Sequence, residues 1–238
     1  MAEAQRTFVL VHGAWHGGWC WRRVADILRE RGHIVFTPTL TGLADRSHLM
    51  SADIMLQTHA DDVINLILWE RLDNVCLVGH SYGGFVTSLV AEEVGDKISS
   101  FIFLDAFAPE DGDDRLKMIN PAVRAEIEAA AARGEVSRAA PPASYFRVQS
   151  PEDIAWVDSL MTPQPNGVWH GAIKLTGARE RVARKAYIRA GKYPSESFDA
   201  AMAKCGKRPG WECLTLDAGH DIMVDAPREL ADTLIRLA

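Results

Sequence analysis

Along the chain, short apolar runs alternate with stretches in which apolar residues return every third or fourth position, the pattern of parallel strands joined by crossover helices. "TFVLVHG" (7–13) reads as the first strand, after which Trp21, Val24, Ala25 and Leu28 share one helical face until Gly32 stops that helix. "HIVFTPTL" (33–40) reads as the next strand. Val63, Leu66 and Ile67 predict a helix over 58–71, opened by Thr58 with Asp61 three positions on, a capping-box-like start. Val75-Cys76-Leu77-Val78 is an unbroken apolar run, as expected of a strand covered on both faces. Beyond it, Phe85, Val86, Leu89, Val90 and Val94 return at helical spacing, with Gly95 at the expected stop. Ser81 therefore sits on a strand-to-helix turn. "SSFIFLDAFAP" (99–109) is a further strand.

The rhythm breaks at "EDGDD", and from about 110 to 182 there are helix signals without convincing strands. Asn120-Pro121 opens one helix that ends before Gly134, and Ser150-Pro151 opens another. The sheet resumes with "KAYIRAG" (185–191) and "WECLTLDAG" (211–219), and "DAPRELADTLIRLA" closes the chain as a helix with Leu230, Leu234 and Leu237 inward. The expectation is an α/β fold with a mostly parallel twisted sheet and flanking helices: a core of 1–109 and 183–238, with 110–182 as a helical cap over the carboxyl ends of the strands.

Length and charge narrow the function. At 238 residues the chain suits one large domain, and its net charge of -6, from 32 acidic and 26 basic residues without a basic block, argues against nucleic acid as a partner. No run of 18 apolar residues occurs, and "MAEAQRTFVLVHGAWHGG" is too short and interrupted in its apolar stretch for a leader or membrane span, so a cytoplasmic monomer or homodimer is expected. Cys20, Cys76, Cys205 and Cys213 lack CxxC spacing and read as free thiols, with a Cys205–Cys213 bridge as the alternative.

"GHSYG" (79–83) fits G-x-S-x-G, in which glycines let strand and helix approach closely enough to hold a serine on a sharp turn. The hydroxyl then projects and needs a base. His220 in "LDAGHD" lies beyond the last strand and before the last helix, completing the chain order serine, acid, histidine. The acid is Asp105 or Glu196. Asp105 lies among apolar residues at the end of "FIFLD", where a carboxylate needs a partner, and is preferred; the loop "AGKYPSES" has no acid directly after its strand, and its Glu196 comes late, as does Asp199. Amide N–H groups of Tyr82, and of Ala14 in "HGAWHGGW" (12–19), would form an oxyanion hole. That stretch lacks the Gly-Lys-Ser/Thr ending of a phosphate loop, and His12, His16 and His80 lack the carboxylate or cysteine spacing of a metal site, so no metal and no cofactor is expected. Trp15, Phe107, Tyr145, Trp156 and Trp169 are the candidate walls of a hydrophobic pocket for a small ester.

With these residues assembled, the chain resembles the α/β-hydrolase fold superfamily. More narrowly, it resembles the branch of plant methylesterases of the salicylate-binding type, plant hydroxynitrile lyases and small bacterial esterases of the pyrethroid- and carbendazim-hydrolase kind. "FVLVHGAWHGGWCW", "LVGHSYGG" and "LDAGHDIMVDAPRELA" carry the resemblance, as do "FLDAFAPEDG" and "LMTPQP" for the bacterial members. It implies Ser81 as nucleophile, His220 as general base and Ala14 and Tyr82 as oxyanion donors. The chain departs at "YIRAGK", where Gly191 stands in place of the plant aspartate. The lyases carry threonine, glutamate and lysine where Gly13, His80 and Asp221 stand, so hydrolysis of a hydrophobic or aromatic ester, carbamate or amide is expected over a lyase, and the intact Ser81 and His220 argue against a non-catalytic ligand receptor.

Overall fold

A computed structural model describes residues 4–238; the first three residues, where the stretch read as lacking a leader begins, lie outside the described residues. The strands in chain order are β1 (Thr7–Val11), β2 (Ile34–Phe36), β3 (Val75–His80), β4 (Ile98–Leu104), β5 (Ser137–Arg138), β6 (Gln164–Pro165), β7 (Arg184–Ala190) and β8 (Trp211–Leu216). Six of them form one sheet in the order β2-β1-β3-β4-β7-β8, every neighbouring pair parallel. The helices are α1 (Arg22–Glu30), α2 (Leu56–Trp69), α3 (Gly83–Val94), α4 (Arg115–Met118), α5 (Pro121–Ala132), α6 (Pro151–Leu160), α7 (Glu196–Gly206), α8 (Ile222–Asp225) and α9 (Pro227–Leu237). All six residues of β3 are buried, which explains its unbroken apolar pattern.

The chain enters at β1, steps to β2 on one side, then crosses back to β3 on the other. The strand order thus reverses between β1 and β3, and ligands bind at such a crevice outside the carboxyl ends of the strands. The register aligns those ends: Val11 opposite Gly79, His80 opposite Leu104, and Leu104 opposite Ile188. Five segments leave this end of the sheet, beginning at residues 12, 81, 105, 191 and 217, since Ala190 pairs with Leu216.

Several boundaries differ from the sequence pattern for local reasons. The second strand stops at Phe36 because the next residues serve the 12–18 loop: the Gly18 N–H donates to Thr39 Oγ1, and a Cβ on Gly18 would fall 2.1 Å from the Thr37 carbonyl oxygen. Helix α2 starts at Leu56, and Thr58 accepts the Met55 N–H at 3.1 Å from within the first turn. The last helix is broken at Ala226 (φ -134°, ψ 52°), since the residue before Pro227 is pushed out of the helical region. Segment 110–182 holds α5 and α6 as its pattern indicated, capped by Asn120 and Ser150, and also the single turn α4, capped by Asp114, which the pattern does not predict. It also holds the β5–β6 antiparallel ribbon, whose two-residue strands are too short to leave a period in the sequence. All four cysteines are unbridged.

Candidate active site

Gly79 and Gly83 bring the end of β3 and the start of α3 against their neighbours. A Cβ at 79 would lie 2.5 Å from Thr87 Oγ1, and one at 83 would lie 2.9 Å from the carbonyl oxygens of Val11 and His12. Between them Ser81 adopts φ 53°, a left-handed conformation unusual outside glycine. Hydrogen bonds fix this bend: the Ser81 N–H donates to Leu104, and its carbonyl accepts from Gly84 and Phe107.

Ser81 lines a cavity of about 750 Å³ together with Ala14, Trp15 and His220. Phe107, Tyr145 and Trp169 line it too, whereas Trp156, expected among its walls, does not. Trp156 instead packs edge-on against Trp19 at 5.3 Å and lies under the Arg23 guanidinium. Glu196 and Asp199 border the cavity, but neither occupies the position beside His220. That position belongs to Asp105, whose Oδ2 lies 2.6 Å from His220 Nδ1.

Asp105 is fully buried and both of its carboxylate oxygens are hydrogen-bonded. Its Oδ1 accepts from Arg189 Nη1 at 2.6 Å and from the Ala190 N–H at 3.0 Å. Arg189, which the sequence reading missed, also binds Asp199 and the carbonyls of Tyr193 and Ser195. Burial opposes its charge, but Asp105 and Asp199 outweigh this and raise its pKa. Three donors thus meet a carboxylate that alone would be costly to bury.

His220 is held by its backbone as well as its ring. Its N–H donates to the Phe146 carbonyl at 2.8 Å, and its own carbonyl accepts from His80 Nε2 at 3.0 Å. Phe198 stacks on the imidazole at 5.3 Å between centroids and Tyr193 at 4.5 Å. With Nδ1 facing a carboxylate, Nε2 is the ring nitrogen left over for proton transfer.

Three further histidines are held neutral by burial. His12 donates from Nδ1 to the Gly13 carbonyl and accepts the Leu40 N–H at Nε2; burial pushes its pKa down to about 3. His59 donates from Nε2 to Thr41 and accepts the Tyr82 hydroxyl at Nδ1, with burial pushing its pKa down to about 4. His80 gives its Nε2 proton to His220, and burial holds its pKa well below the usual range.

His16 is the exception. Its Nδ1 faces the Ala14 carbonyl at 2.8 Å and its Nε2 faces Asp221 Oδ2 at 3.1 Å, so both ring nitrogens donate and the ring is cationic. Burial opposes that charge, but Asp221 raises the His16 pKa. Burial alone would likewise raise the Asp221 carboxyl, yet His16 draws it down to about 2. This buried ion pair occupies the region where the sequence suggested clustered histidines. Among the described residues, no group of His, Cys, Asp or Glu has the arrangement of a metal site.

Ala14 and Tyr82 N–H groups have no hydrogen-bond acceptor among the described residues, while the Gly13 and Ala14 carbonyls and the Trp15 N–H beside them are paired. A loop presenting free N–H groups beside a projecting hydroxyl and an imidazole can stabilise an oxyanion and move a proton.

This fold and site define a class. The alpha/beta hydrolase family model matches residues 8–233, and the chain belongs to that family, among its ester-cleaving hydrolases. It is 40% identical over 239 residues to the carbendazim hydrolyzing esterase of Nocardioides sp. (strain SG-4G), covering 97% of this chain and 98% of that one. Among solved structures, an extracellular alpha/beta-hydrolase from a Paenibacillus species, described as homologous to tobacco salicylic acid binding protein 2, superposes with a TM-score of 0.86 at 23% identity, covering 98% and 99% of the two chains. The pyrethroid hydrolase of Sphingobium faniae JZ-2 superposes with a TM-score of 0.74 at 19% identity, covering 98% and 97%. At those identities the two structures speak to the fold alone.

Proposed function

We propose that the protein is a serine carboxylesterase that cleaves a small hydrophobic or aromatic ester, carbamate or amide through an acyl-enzyme. One observation carries this reading: Ser81, on its strained bend, lines the same cavity as His220, whose ring is tied to the buried Asp105. His220 removes the Ser81 proton, Ser81 attacks the carbonyl carbon, and the Ala14 and Tyr82 N–H groups receive the charge that develops on oxygen. His220 then returns the proton to the leaving alcohol or amine. Water, deprotonated in turn by His220, releases the acid and frees Ser81.

Asp105 keeps the imidazole in the working tautomer, and Arg189 and the Ala190 N–H keep Asp105 oriented. Cap residues 110–182 supply part of the pocket wall, including Tyr145, Phe146 and Trp169. Its aromatic lining and the similarity to a carbendazim hydrolyzing esterase support an aromatic ester or carbamate. Four unbridged cysteines favour a reducing compartment such as the cytoplasm. No helix among the described residues is long and apolar enough to cross a membrane.

The geometry disfavours a hydroxynitrile lyase. A threonine at position 13 would place its Cβ 2.9 Å from both His80 Nδ1 and Ser81 Cβ, and the residue after His220 is the anion Asp221. A panel of p-nitrophenyl esters, aromatic esters and aromatic carbamates tests the proposal, with Ser81→Ala run beside the wild type. Turnover confined to the wild type supports it; equal turnover in both rejects it.

A further inference from the structure

The motif "LMTPQP" (160–165) takes no part in the chemistry described above, yet it reaches back to the loop that supplies one oxyanion donor. Trp15 is held there by both of its backbone groups: its N–H donates to Gln164 Oε1 at 2.9 Å, and its carbonyl accepts the Thr162 N–H at 2.9 Å. Trp15 has φ 65°, a conformation that needs such support. The Ala14–Trp15 peptide is therefore tied at both ends, its carbonyl to His16 and its N–H to Gln164. The preceding peptide is tied at its carbonyl only, by His12, which leaves the Ala14 N–H free.

Gln164 is fully buried, and among the described residues its Nε2 has no hydrogen-bond partner. A buried amide half of whose polar groups go unpaired is a poor choice for stability. Its oxygen, by contrast, accepts the Trp15 N–H. We infer that Gln164 is a positioning residue for the esterase reaction: its side-chain oxygen, by holding the Trp15 N–H, aims the Ala14 N–H at the oxyanion. This rests on the esterase reading above. Arg138, opposite Gln164 in the ribbon, lies over the Trp15 ring with its centre 4.8 Å from the centroid, and its Nε and Nη2 are buried without partners.

The test compares an ester with the matching thionoester, whose sulfur is a weaker acceptor in an oxyanion hole. In wild type the ester is favoured. Gln164→Met removes the acceptor, so kcat for the ester should fall about 10- to 100-fold, short of the 100- to 1000-fold cost of deleting a donor, while KM changes little. The thionoester should lose less, shrinking the discrimination. Gln164→Asn, which withdraws the oxygen by one methylene, should behave alike and carries the test if the methionine variant fails to fold. Gln164→Glu keeps an oxygen acceptor beside Arg138 and should restore most of the ester rate. Equal loss on both substrates, no loss on either, or a glutamate variant as impaired as the methionine one would overturn the inference. Wild-type turnover independent of Ser81 would instead remove the esterase reading itself.

Discussion

The carboxylate of Asp105 and the imidazole of His220, 115 residues apart in the chain, meet at 2.6 Å in a site where Asp105 has no exposed surface. An amide at 105 would offer that imidazole the wrong group, since its NH2 would face Nδ1 or Arg189, both of them donors in the native site. Asp105→Asn should therefore lower kcat by about 10⁴-fold, the size expected when a histidine base is held in the wrong tautomer. Glu196→Gln should leave turnover near wild type. Steady-state rates on one p-nitrophenyl ester check both, and the reverse ranking would transfer the role to Glu196.

Much of this arrangement was legible beforehand because single residues violated their local pattern. Asp105 stood out as a charge within an apolar strand end, and Ser81 as a polar residue between a buried strand and a helix. Trp156 was misread because apolar periodicity says that a helix face is covered without saying by what; here it is covered by Trp19 and Arg23. Arg189 is a single cation within a strand, and nothing beside it in sequence names its partner. The signal was present in "YIRAGK", which lost an acid and placed a cation two residues before Gly191. Phe146, Tyr193 and Phe198 converge on His220 from distant segments, and no spacing in sequence reports that.

The His16–Asp221 pair should respond asymmetrically to substitution. Both side chains are buried, so Asp221→Asn strands a buried cation and should cost about 3–5 kcal/mol, lowering Tm by roughly 10 °C. His16→Gln combined with Asp221→Asn should recover part of that loss. Thermal melts of wild type and these two variants decide it: a double variant no more stable than Asp221→Asn would contradict the ion pair.

Acid should unfold the protein well before its carboxylates titrate. His12, His59 and His80 have folded pKa values below the ordinary 6.5, so the unfolded chain binds protons that the native one refuses. Their stability is present above pH 6.5 and is lost as pH falls toward about 4 for His59 and about 3 for His12. Each contributes a slope of about 1.4 kcal/mol per pH unit in that window. His16 has the opposite sign: its raised pKa stabilises below 6.5 and that contribution is lost as pH rises through the folded value. Calorimetric Tm should hence fall steeply from about pH 6.5 to about pH 5, and a flat profile there would refute the neutral assignments.

The bend itself is sensitive to a single methyl group. Gly79→Ala would press a Cβ against Thr87 Oγ1 at 2.5 Å and the Gly83 carbonyl at 2.7 Å. A loss of about 1–3 kcal/mol and a large drop in turnover are expected. Gly206→Ala is the control, because the nearest atom to its added Cβ is Cys213 Sγ at 3.5 Å, ordinary contact within a helix. Its melting temperature and activity should match or exceed wild type.

The most direct measurement is the intact mass of the enzyme quenched early in turnover of a slow aromatic ester or carbamate, followed by peptide mapping. The account predicts one acyl group per chain on Ser81, forming far more slowly in Asp105→Asn and absent in Ser81→Ala. An acyl group on another residue, or full turnover by Ser81→Ala, would contradict it.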